Sequence, residues 1–422
     1  MSAAVRTIAV ADALAGSRFS PTGPAEIDIA DGVVAAIRPL SAPPPGRRLL
    51  AMAAPIDAHD HARPLSTVSF GTAGKPLETW LLSLAAMPSV DPYLATAAAL
   101  GRAARGGCAG AVIHLTRPMG LSPLPEEARA IARAANDVGI RVALAIAMRD
   151  RNPIVYGDHA EVLSGLPDDA ARVLSAHFDR PQPPPADQVA LVEAVAAAVE
   201  GTGVDVQFGP TGVQWCSDTL LAAIAERSAA TGRRVHMHLL ETSYQRAFAD
   251  AAHPEGVVTF LEGIGLLSER ITLAHCVWAR PDELERIAAA GATVSTNASS
   301  NLHLRSGIAP VPEMVRRGVR FGIGLDGAAF DDDDDILREI RLVRALHAGI
   351  GFEETLPVER VLQAAAIDGR RAIGAPDSGA LAPGMPADIL VLDLDAIDRD
   401  RVMPLDPRDI LLARAAKEHV VE

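Results

Sequence analysis

The sequence predicts an α/β protein built as a (β/α)8 TIM barrel, with a small β-sandwich formed from both chain termini. Short apolar runs alternate with alanine-rich helical segments over about 300 residues, which is typical of a parallel barrel. Both ends of the chain instead show short strands and turns. A length of 422 residues also exceeds what one core usually covers. We therefore predict a barrel over 54–375 and a composite small domain from 1–53 and 376–422.

Short strands are predicted at both ends of the chain. AEIDIA and VVAAIRP flank Asp31-Gly32, a dipeptide that favours a tight hairpin turn. A proline-rich break follows at 43–46. Near the other end, ADILVLDL is the best late strand.

Helix-capping residues mark the units of the barrel. One helix is predicted over 218–230, between a capping Ser217 and a terminating Gly232, and the strand RRVHMHL follows it. Two further helices stop near Gly291 and Gly318 and lead into the strands ATVSTN and VRFGIGLD. This regular order of helix and strand supports the barrel.

The composition excludes several classes of protein. With 49% hydrophobic and 22% charged residues, the chain is not a disordered one. A formal net charge of −14 without a basic run argues against binding to nucleic acid or an anionic membrane. No run approaches ~20 apolar residues, and three cysteines offer no disulfide framework. The first residues do not have the pattern of a secretory leader, so we expect none. We expect a cytoplasmic protein.

Two H-x-H pairs end predicted strands. His59 and His61 follow an apolar strand start, and His236 and His238 end another. Residues two apart on a strand share a face, so each pair points to one side of the barrel wall. Two histidines alone do not fix a metal ion. Further polar residues stand at or after later strand ends, where barrel enzymes build their active sites: Glu241, His275 and Asp326.

Each of these residues also has an ordinary explanation. A lone histidine such as His275 is more often a core residue, and an aspartate before glycine, such as Asp326, is usually a turn residue. Together, and in this order on successive strands, they favour a functional site.

The motifs resemble the amidohydrolase superfamily, in its branch of cytosine, guanine, triazine and S-adenosylhomocysteine deaminases. The resemblance covers nearly the whole chain, and its matching stretches are PIDAHDH, KPLETWL, QWCSDTLL, VHMHLLET, GLLSERITLAHCVW, the block from GATVSTNASSN to GLDG, and ALAPGMPADILVLDLD. The resemblance implies that the metal ligands are His59, His61, His238 and Asp326. It also implies catalytic roles for Glu241, His275 and Asp326.

The chemistry of these residue types agrees with that assignment. Imidazoles and a carboxylate suit one divalent ion, Zn²⁺ first and Fe²⁺ second, which lowers the pKa of bound water and supplies hydroxide. Asp326 then carries the proton to the leaving amine, Glu241 protonates the ring nitrogen and His275 orients the water. The predicted function is hydrolytic deamination of an amino-substituted pyrimidine, purine, pterin or triazine, with release of ammonia.

The lysine count favours a single metal. Binuclear relatives bridge two ions with a carboxylated lysine on a barrel strand. This chain has only Lys75, in a loop or helix start, and Lys417, near its end. Neither occupies a predicted barrel strand, so a lysine-bridged pair of metals is not expected.

Further residues are candidates for substrate binding: His114, Trp80, Gln214, Arg149 and His303. For Trp80 the competing explanation is packing, and for Arg149 it is placement on the surface. His236 is expected to have a core or supporting role beside the site. The acidic run 331–335 is explained either as a helix start or as a rim that selects cationic substrates.

Two other functions remain open. The same metal site can hydrolyse an amide, formimino, N-alkylamine or C–Cl bond on a similar ring. Alternatively, the barrel is catalytically inactive and has a binding role. A small heterocyclic substrate is the expected partner, and a homodimer is expected from the family alone.

Overall fold

The computed structural model describes residues 5–151, 155–178, 181–327 and 334–422. Its central feature is a closed barrel of eight parallel strands, which confirms the predicted fold class. Two antiparallel or mixed sheets, of three and four strands, are built mainly from the N-terminal segment. Among the described residues, no helix has the length and apolar character needed to cross a membrane.

The strands are numbered in chain order. They are β1 Arg6–Val10, β2 Asp12–Ala15, β3 Ser20–Pro21, β4 Ala25–Ala30, β5 Val33–Pro39, β6 Leu49–Ala53, β7 Ile56–Asp60, β8 Gly110–Leu115, β9 Arg141–Met148, β10 Asp205–Pro210, β11 Val235–Leu239, β12 Ile271–His275, β13 Thr293–Thr296, β14 Arg320–Ile323, β15 Gly349–Ile350, β16 Glu353–Glu354 and β17 Ile389–Asp393. Strands β7 to β14 form the barrel, which closes where Ile323 pairs with Asp57.

The α-helices follow the same numbering. They are α1 Leu77–Ser83, α2 Pro92–Arg105, α3 Leu124–Val138, α4 His159–Ser164, α5 Asp168–Phe178, α6 Pro185–Ala198, α7 Asp218–Thr231, α8 Ser243–Ala252, α9 Val257–Gly263, α10 Pro281–Ala289, α11 Ala298–His303, α12 Val311–Arg316, α13 Ile336–His347, α14 Val358–Gln363, α15 Gly369–Ala372, α16 Leu394–Ile397 and α17 Pro407–Arg414. Short 3₁₀ turns lie at Thr67–Phe70, Leu84–Ala86 and Lys417–His419, and a π turn at Ala364–Asp368.

The capping residues stand where the sequence predicts them. The Ser217 hydroxyl accepts a hydrogen bond from the Leu220 amide at the start of α7, and Gly232 ends this helix with a φ of 74°. The predicted helix over 218–230 is therefore confirmed to within one residue.

The two chain ends meet in one sheet. Strand β17 pairs with β6, and β6 pairs with β2, in the four-stranded sheet. The hairpin between β4 and β5 turns at Asp31 and Gly32, both with positive φ, as predicted. The C-terminal segment also contains α17, which packs against the barrel helices α13 and α14. Sequence reasoning did not foresee this helix, and the exact division into domains stays a prediction.

Apolar residues close one end of the barrel and leave the other for polar groups. Ile56, Ala58, Val112 and Ala143 form a buried cluster with residues 372–373 at the end of α15. This cluster lies toward the N-terminal ends of β7, β8 and β9. Hydrophobic burial therefore holds the barrel together at that end, and the C-terminal ends of the strands carry the polar side chains.

The acidic run lies mostly outside the described residues, which resume at Asp334. The Asp335 carboxylate caps α13 by accepting hydrogen bonds from the amides of Leu337 and Arg338. Asp334 accepts a 2.8 Å hydrogen bond from Arg102. The structure therefore supports the helix-start explanation for Asp335, whereas Asp334 pairs with Arg102.

Candidate metal centre and active site

Four strands deliver the predicted site residues to one place. His59 lies in β7, His238 in β11 and His275 at the end of β12, while Asp326 follows β14 by three residues. The centroid of the His59 ring lies 4.9 to 5.2 Å from those of His61, His238 and His275. All of these side chains are almost completely buried.

The donor atoms form three overlapping groups among the described residues. Within each group the candidate ligand atoms lie within 4.8 Å of one another; the groups are His59, His61 and Asp326, then His59, His238 and His275, and then His59, His114 and His236. His59 belongs to all three, and neither of its ring nitrogens has a hydrogen-bond partner among the described residues. A buried nitrogen without a partner is costly, so a ligand for it is expected here.

Hydrogen bonds to backbone carbonyls define which nitrogen of each ring faces the site. The His61 Nδ1–H donates to the carbonyl of His114 at 2.7 Å, and the His238 Nδ1–H donates to the carbonyl of Thr211 at 2.8 Å. In neutral imidazoles this leaves the lone pair on Nε2. Metal-binding histidines are oriented by the same kind of contact.

The contact between His61 and Asp326 indicates a cation. His61 Nε2 lies 3.1 Å from Asp326 Oδ1, and His59 Nε2 lies 3.4 Å from the same oxygen. Burial lowers the pKa of His61, and it lowers the pKa of His59 to about 3, so both rings are neutral at pH 7. Lone pairs of nitrogen and oxygen that face each other at this distance repel unless a positive charge lies between them. The donor set therefore fits a divalent metal of the zinc type.

Glu241 and His275 lie next to each other at the edge of this centre. Their closest atoms, Glu241 Oε2 and His275 Nε2, are 3.8 Å apart. Burial raises the pKa of Glu241 to about 7, and the carboxylates of Asp326 and Glu78 add to this effect. The His275 Nδ1–H donates to Asn301 Oδ1 at 2.9 Å, which turns Nε2 toward Glu241. The carboxyl group of Glu241 is therefore suited to give and take a proton near neutral pH.

Two of the site residues have unusual backbone conformations. His275 has a φ of 75° and Asp326 a φ of 60°, in the left-handed region that non-glycine residues seldom adopt. Such strain costs about 1–3 kcal/mol and is concentrated at functional sites. Tertiary contacts therefore determine where these two side chains point.

Three further residues support the site, and two of them, Asp57 and Ser300, were not predicted from the sequence. The Asp57 carboxylate accepts hydrogen bonds from the amides of His59 and Leu325 and so joins β7 to the segment after β14. The Arg63 guanidinium donates to the Asp326 carbonyl at 2.8 Å, and the Ser300 hydroxyl donates to the Asp326 carboxylate. The extra acids in PIDAHDH were the available signal for Asp57. Arg63 follows a predicted strand end, where an arginine can hold a carbonyl or a carboxylate, and the structure places it on the Asp326 carbonyl.

His114 and His236 form a buried pair beside the ligands. His114 Nε2–H donates to the Gly209 carbonyl at 3.2 Å, so its Nδ1 accepts the Nδ1–H of His236, also at 3.2 Å. The His236 ring stacks on the His59 ring at 4.9 Å. Both side chains are fully buried. The pair packs against the ring of His59, and the contact of His114 with a substrate stays a prediction.

The other substrate-binding candidates occupy different surroundings. Trp80 is 3% exposed, its indole N–H donates to Thr67, and Arg63 covers its ring at 5.0 Å, which favours the packing explanation. Gln214 is buried, and neither amide atom has a partner among the described residues. Arg149 is half-buried, and His303 is exposed. Their contact with a substrate stays a prediction.

Comparisons with known proteins agree with the fold and the motifs. Residues 50–418 match the model of the Amidohydrolase family. The chain is 35% identical over 205 residues to a 5'-deoxyadenosine deaminase of Methanosarcina barkeri, covering 48% of this chain and 47% of that protein. It is 40% identical over 163 residues to a 5-methylthioadenosine/S-adenosylhomocysteine deaminase of Nitratidesulfovibrio vulgaris, covering 38% and 37%. The matched segments thus span about half the length of these relatives or less.

Solved structures share the whole architecture. A zinc-bound adenosine deaminase of Xanthomonas campestris superposes with a TM-score of 0.75 at 21% identity, over 98% of this chain and 90% of that one. A zinc-bound atrazine chlorohydrolase of Arthrobacter aurescens gives 0.77 at 22% identity, over 98% and 94%. At this identity the likeness concerns the fold. The match over 50–418 is decisive: the chain belongs to the amidohydrolase family.

Proposed function

We propose that this protein is a metal-dependent aminohydrolase that deaminates an amino-substituted nitrogen heterocycle of the purine, pyrimidine, pterin or triazine type. It would act as a hydrolase of carbon–nitrogen bonds other than peptide bonds. The observation that carries the proposal is the 3.1 Å approach of His61 Nε2 to Asp326 Oδ1, with Glu241 and His275 beside it.

The proposed ligands are His59, His61, His238 and Asp326, which would hold one divalent cation, with Zn²⁺ preferred over Fe²⁺. When bound, such an ion acts as a Lewis acid and makes water a nucleophile at neutral pH. Lys75 lies in the loop before α1 and Lys417 in a terminal 3₁₀ turn. Neither lysine is on a barrel strand, in agreement with a single ion per chain.

The protein groups divide the proton transfers between them. Asp326 would accept the proton of the attacking water and pass it to the departing amine. Glu241, with a pKa near 7, would protonate the ring nitrogen next to the reacting carbon and so neutralise the charge that develops there. His275, held by Asn301, would orient the water between these two carboxyl groups.

The relatives supply independent support for the reaction type. Both curated relatives are named deaminases of adenine-containing compounds, although less than half of their length is matched. The substrate class is therefore proposed from the site as well as from the relatives. If the same site removes a different leaving group, the product released with the ring is not ammonia. Product analysis therefore distinguishes this alternative from deamination.

The test combines metal analysis with a product screen. Elemental analysis of the purified chain should find close to one zinc or iron per chain. Aminated purines, pyrimidines, pterins and triazines should then be screened for ammonia. Ammonia release that is lost in His61→Asn supports the proposal. Consumption of a ring substrate without ammonia would instead indicate a different leaving group, and a metal-free, folded chain would favour the binding role.

A homodimer in the cytoplasm completes the proposal. The support is membership of the family, since the structure contains one chain. Multi-angle light scattering on the zinc-loaded protein should give about twice the mass of the chain, and a monomer mass would contradict the proposal.

A further inference from the structure

Helix α1 crosses the open end of the barrel above the metal centre. On one side Leu77 and Trp80 pack against Leu304, which follows α11 and therefore β13. On another side Glu78 receives a hydrogen bond from Thr242, which follows β11. Because the segments after β11 and β13 both leave the C-terminal end of the barrel, Glu78 must lie above the site.

The two carboxylate oxygens of Glu78 are in different situations. Oε1 accepts hydrogen bonds from the Tyr156 hydroxyl at 3.0 Å and from the Thr242 hydroxyl at 2.7 Å. Oε2 is also buried, but it has no hydrogen-bond partner among the described residues. Glu78 forms no ion pair with any described residue either. Since a buried carboxylate oxygen without a donor is costly, we expect a bound molecule to supply the donor.

The free oxygen lies near the proposed proton donor. Thr242, which holds Oε1, directly follows Glu241 in the chain. The hydroxyls of Tyr156 and Thr242 orient the Glu78 carboxylate, so the free oxygen has a defined position. The negative charge of Glu78 also contributes to the raised pKa of Glu241, so the two carboxylates lie close enough to interact. A ring that contacts Glu241 through a nitrogen therefore has further ring atoms in the neighbourhood of Glu78.

We propose that Glu78 determines substrate specificity by accepting a hydrogen bond from an amino group on the ring carbon beyond the nitrogen that Glu241 contacts. This inference rests on the proposed function of the site. It names the substrate class as rings in which the two carbons that flank one ring nitrogen each carry one amino group. Adenine-type rings carry only a C–H at that carbon and offer no donor of comparable strength.

The experiment compares matched rings that differ by this one amino group. The pairs are 2,6-diaminopurine and adenine, 2,4-diaminopyrimidine and 4-aminopyrimidine, and 2,4-diamino-1,3,5-triazine and 2-amino-1,3,5-triazine. Dissociation constants are measured by titration calorimetry on the zinc-loaded wild type, Glu78→Gln and the control Glu255→Gln, an exposed loop glutamate. In at least one series the diamino ring should bind the wild type and the control about ten- to a hundredfold more tightly, and Glu78→Gln should lose this preference.

Two results would overturn the proposal: no preference for the diamino ring in any series, or a preference that persists in Glu78→Gln. If that variant does not fold, Glu78→Asp replaces it, because it keeps the charge but withdraws the oxygen by one methylene. Ammonia release is assayed on the same samples. Selective binding without ammonia would contradict the deaminase function and leave the role of Glu78 intact, whereas ammonia without selectivity would contradict only the role of Glu78.

Discussion

Asp326 combines three features that a turn aspartate does not need. Its carboxylate faces the Nε2 atoms of His59 and His61, its carbonyl accepts from Arg63, and its backbone has a φ of 60°. The side chain is thus held against the proposed metal by groups that leave it little freedom. This arrangement makes Asp326 the most informative residue to change.

Replacement of Asp326 by Asn keeps the size of the side chain and removes its charge. Ammonia release should fall by about 10²–10⁴-fold, because the amide cannot carry the proton. Circular dichroism should show an unchanged fold, and elemental analysis should show less bound metal. A variant that keeps more than a tenth of the activity would contradict the proton-carrying role.

Glu241 predicts a pH dependence. As a general acid it must be protonated, and burial raises its pKa to about 7, so kcat/KM should fall as the pH rises through 7. In Glu241→Gln the rate should be lower by about 10²–10⁴-fold and this decline should disappear. Rates of both proteins between pH 5 and 9 provide the measurement. If kcat/KM of Glu241→Gln still declined above pH 7, the titrating group would not be Glu241.

His275 is expected to act on the rate more than on metal binding. His275→Asn should lower ammonia release severalfold more than it lowers zinc content, since the resemblance does not place this ring among the ligands. His59→Asn serves as the comparison and should lose both together. Parallel loss of zinc and activity in His275→Asn would make His275 a ligand.

At the scale of elements, strand ends and helix caps were predictable because they depend on short-range chemistry. The alternation of His236 and His238 on β11 brings both rings next to His59, as a two-residue period requires. Ser217 and Gly232 bound α7 for equally local reasons. The contacts of α1 and α17 were not predictable, because the residues that they meet are far away in the sequence.

The turn after β14 depends on a glycine for steric reasons. A Cβ at Gly324 would lie 2.8 Å from the backbone nitrogen of His59 and would also collide with Asn297 and Ser295. Gly324→Ala should lower the free energy of unfolding by about 1–3 kcal/mol and displace the metal ligands. Gly101, which has open space in α2, provides the control, and Gly101→Ala should be neutral or stabilising. Urea unfolding and zinc content test both variants, and a stable Gly324→Ala with full zinc would contradict the argument.

For the whole molecule, a metal that joins β7, β11 and the segment after β14 should stabilise the barrel. Removal of the ion with a chelator should abolish activity and lower the melting temperature, and added Zn²⁺ should restore both. At a free metal concentration of 100 times Kd, binding stabilises a native protein by about 2.7 kcal/mol. In Asp326→Asn the chelator should lower the melting temperature by less than in the wild type. Differential scanning calorimetry measures the melting temperature of both proteins. A wild-type melting temperature that does not change on metal removal would contradict a metal bound by the native site.

The sequence by itself determined the barrel, the hairpin at Asp31 and Gly32, and the set of histidines and carboxylates, because periodicity, capping and motif order are properties of nearby residues. Only the tertiary structure decided how these groups are used. It oriented His61 through the His114 carbonyl, showed that Trp80 is packed, and left one carboxylate oxygen of Glu78 without a hydrogen-bond partner among the described residues. Such contacts join residues from different strands and loops, and their geometry arises when the closed barrel brings those segments together.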